Sequence, residues 1–239
     1  MTAGARRRLT RAWSWRAPPG EVELSLCARR RRPVRSRRVA PAARARHVRQ
    51  GPVDLSKMAP QPTLTTERLV LRPFRTDDAP VVQTLAGDFA VADTTLNVPH
   101  PYLDGMAEEW IAKHGPAWES GALATFAITL RSAGVVGAIS LTLAPTHCRA
   151  ELGYWVGRPY WNRGFATEAA SAILEFGFTT LELNRIQAMH MTRNPASGRV
   201  LQKLGMRLEG IHRQYYWKTG RPEDLARYAL LRENWRGAA

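Results

Sequence analysis

Between Glu151 and Glu168 the chain reads ELGYWVGRPYWNRGFATE, and no acidic side chain interrupts it. Its middle is a turn at the mouth of a helix, where Asn162, Arg163 and Gly164 lead into Phe165, Ala166 and Thr167. The first amides of a helix have no intrahelical acceptor, and aligned peptide dipoles add partial positive charge there. Gly164 lets the main chain approach closely, Ala166 is small, and Arg163 adds a fixed charge. Such a turn suits a phosphate or pyrophosphate. Glycine at a helix start is also ordinary turn chemistry, and that reading stays open. The turn is neither a Walker loop, since no G-x-x-x-x-G-K-S/T occurs, nor a G-x-G-x-x-G dinucleotide fingerprint.

The surrounding elements must position that turn. TERLVLRPF at residues 66–74 alternates and stops at a proline, which reads as a strand. TDDAPVVQTLAGD follows as a helix capped at Thr76 or Asp77 and stopped at Gly87, and a second helix runs from about Gly105 to His114 after a proline-rich loop. ATFAITL, GVVGAISLTL and CRAELGYWV predict an antiparallel meander. After the turn, Ala166, Ala169, Ala170, Ile173, Gly177 and Leu181 fall at helical spacing opposite Glu168, Glu175, Thr179 and Glu182, so one helix face is buried. NRIQAMHM is the next strand. NPASGRVLQKLGM is a helix with Asn194 near its N-cap, Pro195 in its first turn and Gly205 as its stop. Two strands joined through Gly220 close the chain. The order predicts an α+β protein with a mixed sheet and helices packed on it.

Charge is distributed unevenly. The chain of 239 residues carries +15 overall, and residues 1–57 hold 15 Arg and one Lys against only Glu21, Glu23 and Asp54. Arginine runs mixed with proline and small residues repel one another and offer no apolar periodicity, which predicts a disordered extension. It reads as a basic arm for nucleic-acid phosphates, as an organelle leader, or as sequence upstream of a true start at Met58. The last reading is preferred, because orderly patterning begins just after KMAPQP. Cys27 and Cys148 have no paired spacing for zinc or a disulfide framework, which fits a reducing, cytoplasmic setting. No run approaches the roughly 18 apolar residues of a membrane span. No metal-ligating constellation is present.

Five stretches in order resemble the GNAT acetyltransferase superfamily, in its RimJ/RimL-like branch of N-acetyltransferases. They are TERLVLRPF, NVPHPY, AELGYWVGRPYWNRGFATEA, NRIQAMHMTRNPASGRVLQKLGM and GRPEDLARYALL, and together they span roughly residues 64–235. The resemblance implies a GNAT fold for residues 58–239, a mostly antiparallel mixed sheet of about seven strands flanked by about four helices. It also implies that two strands splay apart and take the pantetheine arm of acetyl-CoA. The family turn Gln/Arg-x-x-Gly-x-Gly/Ala holds the pyrophosphate; here its first position is Trp161, a departure, followed by Asn162, Arg163, Gly164, Phe165, Ala166 and Thr167. Asn194 and Ser197 match the family's Asn-x-x-Ser, so Asn194 is expected on the pantetheine arm and Ser197 near the thiol.

Acetyl transfer to an amine requires a base, a donor for the carbonyl oxygen, and a proton for the departing thiolate. Glu151 is the expected base and Ser197 the expected acid, with a strand amide among Tyr154, Trp155 and Val156 as the oxygen's donor. Each has a rival reading. Glu151 alternates with Leu152 and could face solvent, and Ser197 could be an ordinary cap. His190, on one face with Ile186 and Ala188, reads as a core histidine rather than a base. His100, Tyr102, Tyr216 and Asp224 are expected around the acceptor; for them the rivals are a braced loop, a packed sheet edge and a strand turn. The activity so implied is direct acetyl transfer to a primary amine, first a protein N-terminal α-amine, with a small amine or antibiotic as alternative. A nucleic-acid-binding protein and a non-catalytic CoA sensor are the readings from other classes. A monomer or homodimer is expected.

Overall fold

The computed structural model describes residues 60–237; the Arg-rich extension and its boundary at Met58 lie outside the described residues. Eight strands form one sheet in the order β1-β2-β3-β4-β5-β6-β8-β7. Their ranges are β1 Leu64–Thr65, β2 Leu69–Arg72, β3 Leu123–Leu130, β4 Gly134–Ala144, β5 Arg149–Val156, β6 Arg185–Met191, β7 Arg207–Lys218 and β8 Arg221–Leu231. The extra strand relative to sequence expectation is β1, split from β2 by a turn in which Thr66 N–H donates to Leu69 O at 2.9 Å. All neighbours run antiparallel except β5 and β6. The β7–β8 hairpin turns through Thr219 and Gly220, both at positive φ (46° and 78°), the geometry a two-residue hairpin loop demands.

Helices cover both faces. Six α-helices are present among the described residues: α1 Ala79–Ala86, α2 Phe89–Thr94, α3 Met106–Ala112, α4 His114–Glu119, α5 Phe165–Glu175 and α6 Pro195–Lys203. Sequence patterning merged or missed two of them. Asp88 accepts the Ala90 amide at 2.8 Å and so starts α2 immediately after the Gly87 stop. The chain starts a new helix, α4, at His114, with Pro116 in its first turn, within what reads as loop. On one face of the sheet α5 and α6 bury Ala169, Ala170, Ile173 and Leu201 against Phe126, Ile139 and Leu141. On the other, α1 and α3 lay Val82, Ala86, Ala107 and Ile111 over Ala138 and Trp155.

One irregularity dominates. The parallel pair β5/β6 is joined only through Arg149↔Arg185, Ala150↔Ile186 and Glu151↔Gln187. Both strands continue, β5 to Val156 and β6 to Met191, but they part. Main-chain groups of Gly153 to Val156 that face the gap therefore have no strand partner across it. In a closed sheet such groups would be bonded.

Candidate active site

The parting strands open a cleft of about 660 Å³. Its walls are the diverging halves of β5 and β6, the start of α5, the first turns of α6, and the segment Thr94 to Pro99. Strand alternation divides it. Leu152 and Tyr154 face the α5/α6 side, whereas Glu151, Gly153 and Trp155 face the α1/α3 side.

At the α5 mouth, Gly164 has φ 82° and Asn162 φ 61°, so two left-handed residues curl the chain into the helix. The amides of Phe165, Ala166 and Thr167 then point out of the first turn; Glu168 is the first residue bonded back, to Gly164 O at 3.0 Å. The Trp161 indole N–H donates to Val156 O at 2.6 Å, which explains how tryptophan serves where a longer polar side chain was expected: it ties the turn to the open end of β5. Arg163 stands outside the cleft wall, its guanidinium 5.9 Å from the Tyr160 ring centre. Arg68, not singled out from sequence, donates to Arg163 O at 3.0 Å and lies 4.9 Å from the Phe165 ring centre. Glu168 locks this corner, accepting from Thr66 Oγ1 at 2.6 Å, Arg68 N at 2.9 Å and Arg68 Nε at 2.7 Å. Those bonds outweigh the cost of partial burial and hold its carboxyl below the ordinary range.

A hydroxyl pair spans the wedge. Tyr154 Oη lies 2.8 Å from Ser197 Oγ, bridging β5 to the first turn of α6. Burial pushes the phenol up to about 12, against the opposing effect of the Ser197 bond, so it stays protonated at neutral pH. Asn194 is the N-cap the sequence indicated: its Oδ1 accepts from Ser197 N at 3.2 Å, while its Nδ2 donates to Thr94 O at 3.2 Å. The side chain lines the cleft with both ends already bonded. Sequence reasoning took only a Tyr154 main-chain amide into account; the signal for its phenol was parity with Leu152.

The carboxylate on the other face is not simply exposed. Gln187, directly opposite Glu151 at the last paired position, donates from Nε2 to Glu151 Oε2 at 3.1 Å. Gln187 is buried, and its Oε1 accepts from Arg227 Nη2 at 2.8 Å. The relay Arg227, Gln187, Glu151 fixes the carboxylate at the crotch of the wedge. Gln187 carried a weak signal, since Ile186, Ala188 and His190 on one face put it on the other.

The acceptor-side expectations divide. Tyr102 lines the cleft, half-buried, with burial raising its phenol. His100 does not reach the cleft wall and packs against Phe89 with ring centres 5.1 Å apart. Tyr216 acts at one remove: its hydroxyl donates to Leu96 O at 2.9 Å, and Lys218 Nζ donates to Leu96 O and Val98 O at 3.2 and 2.9 Å. Asp224 is not brought to the cleft; its carboxylate accepts from Gln214 N at 2.7 Å, satisfying a bulge in β7. Arg193 reaches Asp93 at 2.6 Å and Glu223 at 2.8 Å, joining the end of β6 to α2 and β8. His190 is a packed histidine, with Nδ1 2.8 Å from Met191 O and its ring 5.6 Å from that of Tyr228. Among the described residues no group of His, Cys, Asp and Glu could hold a metal, and no helix is long and apolar enough to cross a membrane.

Residues 68–207 match the family model described as the acetyltransferase (GNAT) domain. The chain belongs to the GNAT acetyltransferase family. A GNAT relative, an uncharacterized N-acetyltransferase p20 of Bacillus licheniformis, is 33% identical over 178 residues, covering 73% of this chain and 99% of the relative. The putative ribosomal N-acetyltransferase YdaF of Bacillus subtilis is 32% identical over 109 residues, 45% of this chain and 60% of the relative. The solved structure of RimL, described as a ribosomal L7/L12 alpha-N-protein acetyltransferase in complex with coenzyme A, superposes with TM-score 0.67 at 18% identity, covering 71% of this chain and 98% of that one. This GNAT protein is thus an N-acetyltransferase related to the RimJ/RimL ribosomal-protein enzymes. Its cleft fits a coenzyme A thioester. The free α5 amides beside Gly164 are the kind of donor array that suits an anion, the edge of β5 beyond Glu151 carries main-chain groups without a strand partner, and the walls are otherwise mostly apolar.

Proposed function

We propose that the protein transfers the acetyl group of acetyl-CoA directly to a primary amine, the α-amino group of a protein N-terminus, within a ternary complex. The observation that carries this reading is the pair of proton-handling groups at the wedge: Glu151 on one face and Tyr154 with Ser197 on the other. Acetyl-CoA supplies an activated acetyl group and a thiol that leaves. Residues 162–167 hold its pyrophosphate, and the open edge of β5 at Tyr154 to Val156 holds its arm and donates to the carbonyl oxygen.

Glu151, oriented by Gln187, accepts the proton that the acceptor amine must lose before it attacks. Tyr154, kept protonated by burial and bonded to Ser197, gives a proton at the departing sulfur. The nitrogen loses two protons in all: the first, lost before attack, goes to Glu151, and the second, shed as the C–N bond forms and the C–S bond breaks, replaces the one Tyr154 gives to sulfur, so one proton is released overall through Glu151 without a covalent enzyme intermediate. Cys148 stands before Glu151, at the closed end of the paired strands, and takes no part. Segment 94–99, held by Tyr216 and Lys218, forms the acceptor wall together with Tyr102. A peptide acceptor is favoured over a compact amine because ribosomal-protein N-acetyltransferases are among the proteins it resembles and segment 94–99 lines the cleft beside the end of β6.

The test is thiol release from acetyl-CoA against N-terminal peptides and small amines, with acetylation located by mass spectrometry. α-Amino acetylation of peptides supports the reading. Turnover confined to non-peptide amines replaces the acceptor, and coenzyme binding without turnover on any amine replaces the enzyme with a sensor.

A further inference from the structure

On the Glu151 face the cleft runs on past the carboxylate. Gly153 follows two residues along β5 and Trp155 two beyond that, with Ala138 of β4 opposite the tryptophan. Gly153 puts no side chain into this row, and the nearest atom to the place its Cβ would take is Ser140 Oγ at 3.5 Å. The row is therefore open from carboxylate to indole, about 13 Å at the rise of a strand. Trp155 belongs to the apolar cluster beneath α1 and α3, and the half-buried Val98, Tyr102 and Trp110 pack on that cluster. All four line the cleft. They keep surface that a ligand can touch, and even Trp155 is 8% exposed, whereas Val82 and Ala86 behind them are 0% and 2% exposed and only back the wall. Charge is absent from this chamber. Among the described residues the charged side chains lining the cleft are Glu151, Arg199 and Lys203, and the last two stand exposed on α6, on the opposite face of the sheet.

We propose that this chamber holds the acceptor's own side chain: the enzyme takes a primary amine whose neighbouring carbon carries a large apolar arm, as an N-terminal leucine, methionine or phenylalanine presents. The inference rests on the acetyltransferase reading above and narrows it. An amine placed over Gly153, within reach of Glu151, has Trp155 about 7 Å along the strand. An arm of that kind spans the distance, and an alanine methyl does not. The arm gains by leaving water for a wall of Val98, Tyr102, Trp110 and Trp155. An aspartate arm enters the same space without a partner of opposite charge, and burying it unpaired is costly. The same chemistry is offered by a peptide beginning with such a residue and by a free amine bearing the same arm, and the two differ in whether a following chain is needed.

The full chain is assayed with acetyl-CoA and peptides differing only at the first residue, leucine, alanine or aspartate, and with leucinamide and alaninamide as the non-peptide source. Binding of the two amides is measured by calorimetry with coenzyme A present, so the chamber is read even if nothing is acetylated. Expected is a leucine-over-alanine ratio of about 10–100-fold in kcat/KM and about tenfold in affinity, with aspartate last. Val98→Asp, which places a charge in the wall, and Tyr102→Ala, which removes part of it, should each shrink the ratio, with coenzyme affinity and melting temperature as checks on folding. A leucine preference in either source supports the proposal, and the source in which turnover is found names the acceptor. Equal treatment of leucine and alanine by the unaltered protein in both sources and both readouts, or a preference for alanine, overturns it. So does an undiminished ratio in the folded variants. Absence of turnover with a preserved binding preference sinks the acetyltransferase reading and leaves the chamber standing.

Discussion

The two halves of the cleft are built on different principles. The half proposed to hold the coenzyme, residues 154–168 with the first turn of α6, presents main chain: free helix-start amides, an unpaired strand edge, and left-handed Asn162 and Gly164. The half proposed for the acceptor is made of side chains reaching across the sequence: Gln187 to Glu151, Arg193 to Asp93 and Glu223, Tyr216 and Lys218 to the carbonyls of segment 96–98. Main-chain recognition suits a donor common to a family and tolerates changes of side chain. Side-chain scaffolding suits an acceptor that differs from one enzyme to the next, because each strut is a separate substitution.

Variants should separate the halves. The largest effect is expected from Glu151→Gln, which keeps the shape and the Gln187 contact but cannot take a proton; kcat should fall by about 10²–10³-fold while the coenzyme dissociation constant, by calorimetry, stays within about twofold. Next is Arg193→Ala. It removes one of the two guanidinium partners of the buried Glu223, leaving Arg221 at 2.9 Å, and frees Asp93, whose carboxyl the guanidinium bond now holds below its usual range. Since Arg193 and Asp93 are partly solvated, a loss of about 2–3 kcal/mol is expected, seen as a melting-temperature drop of roughly 5–10 °C, with acceptor KM raised and coenzyme affinity kept.

The acceptor half should also be the acid-sensitive one. His114, packed against Phe74 and Trp110 with neither ring nitrogen bonded, has its pKa pushed down by burial to about 4 from an ordinary 6.5. As pH falls below 6.5 the unfolded chain takes up the proton and the folded one resists. Stability present above that pH is therefore lost between 6.5 and 4, by about 2–3 kcal/mol. His114→Leu should narrow the difference in melting temperature between pH 7 and pH 4.5 by roughly 5 °C. A variant as acid-sensitive as the parent would place the weakness elsewhere. The smallest effect is expected in the coenzyme half from Gly164→Ala: about 1 kcal/mol of strain at φ 82°, with a Cβ 3.3 Å from Arg68 Nη2, and a several-fold weaker coenzyme affinity without a change in acceptor KM.

Local signals were legible from sequence in the coenzyme half. The helix entry at Gly164, the Asn194 cap and the buried stripe of α5 follow from backbone rules within a few residues. So did most strands, since alternation is local. The acceptor half was read less well. Asp224 was expected beside the acceptor, with a strand turn as rival, and it satisfies Gln214 N in a bulge, a role visible only once β7 is paired with β8. His100 looked like a groove wall and packs on Phe89. Gln187 gave only a face, by parity with its neighbours, because its importance comes from register: it matters through Glu151, the residue opposite it on another strand.

By itself the sequence determined most of the helices and strands, though not β1, α2 or α4, and which short turn leaves helix-start donors free, because these depend on nearest-neighbour sterics and on donors without acceptors at a helix end. Only the tertiary structure decided that β5 and β6 are parallel neighbours that part after Glu151↔Gln187 and that a phenol and a serine meet across the gap. Such relations join residues distant along the chain. They arise only when burial of two helical layers fixes the strand order, and no local pattern encodes which partner each strand will face.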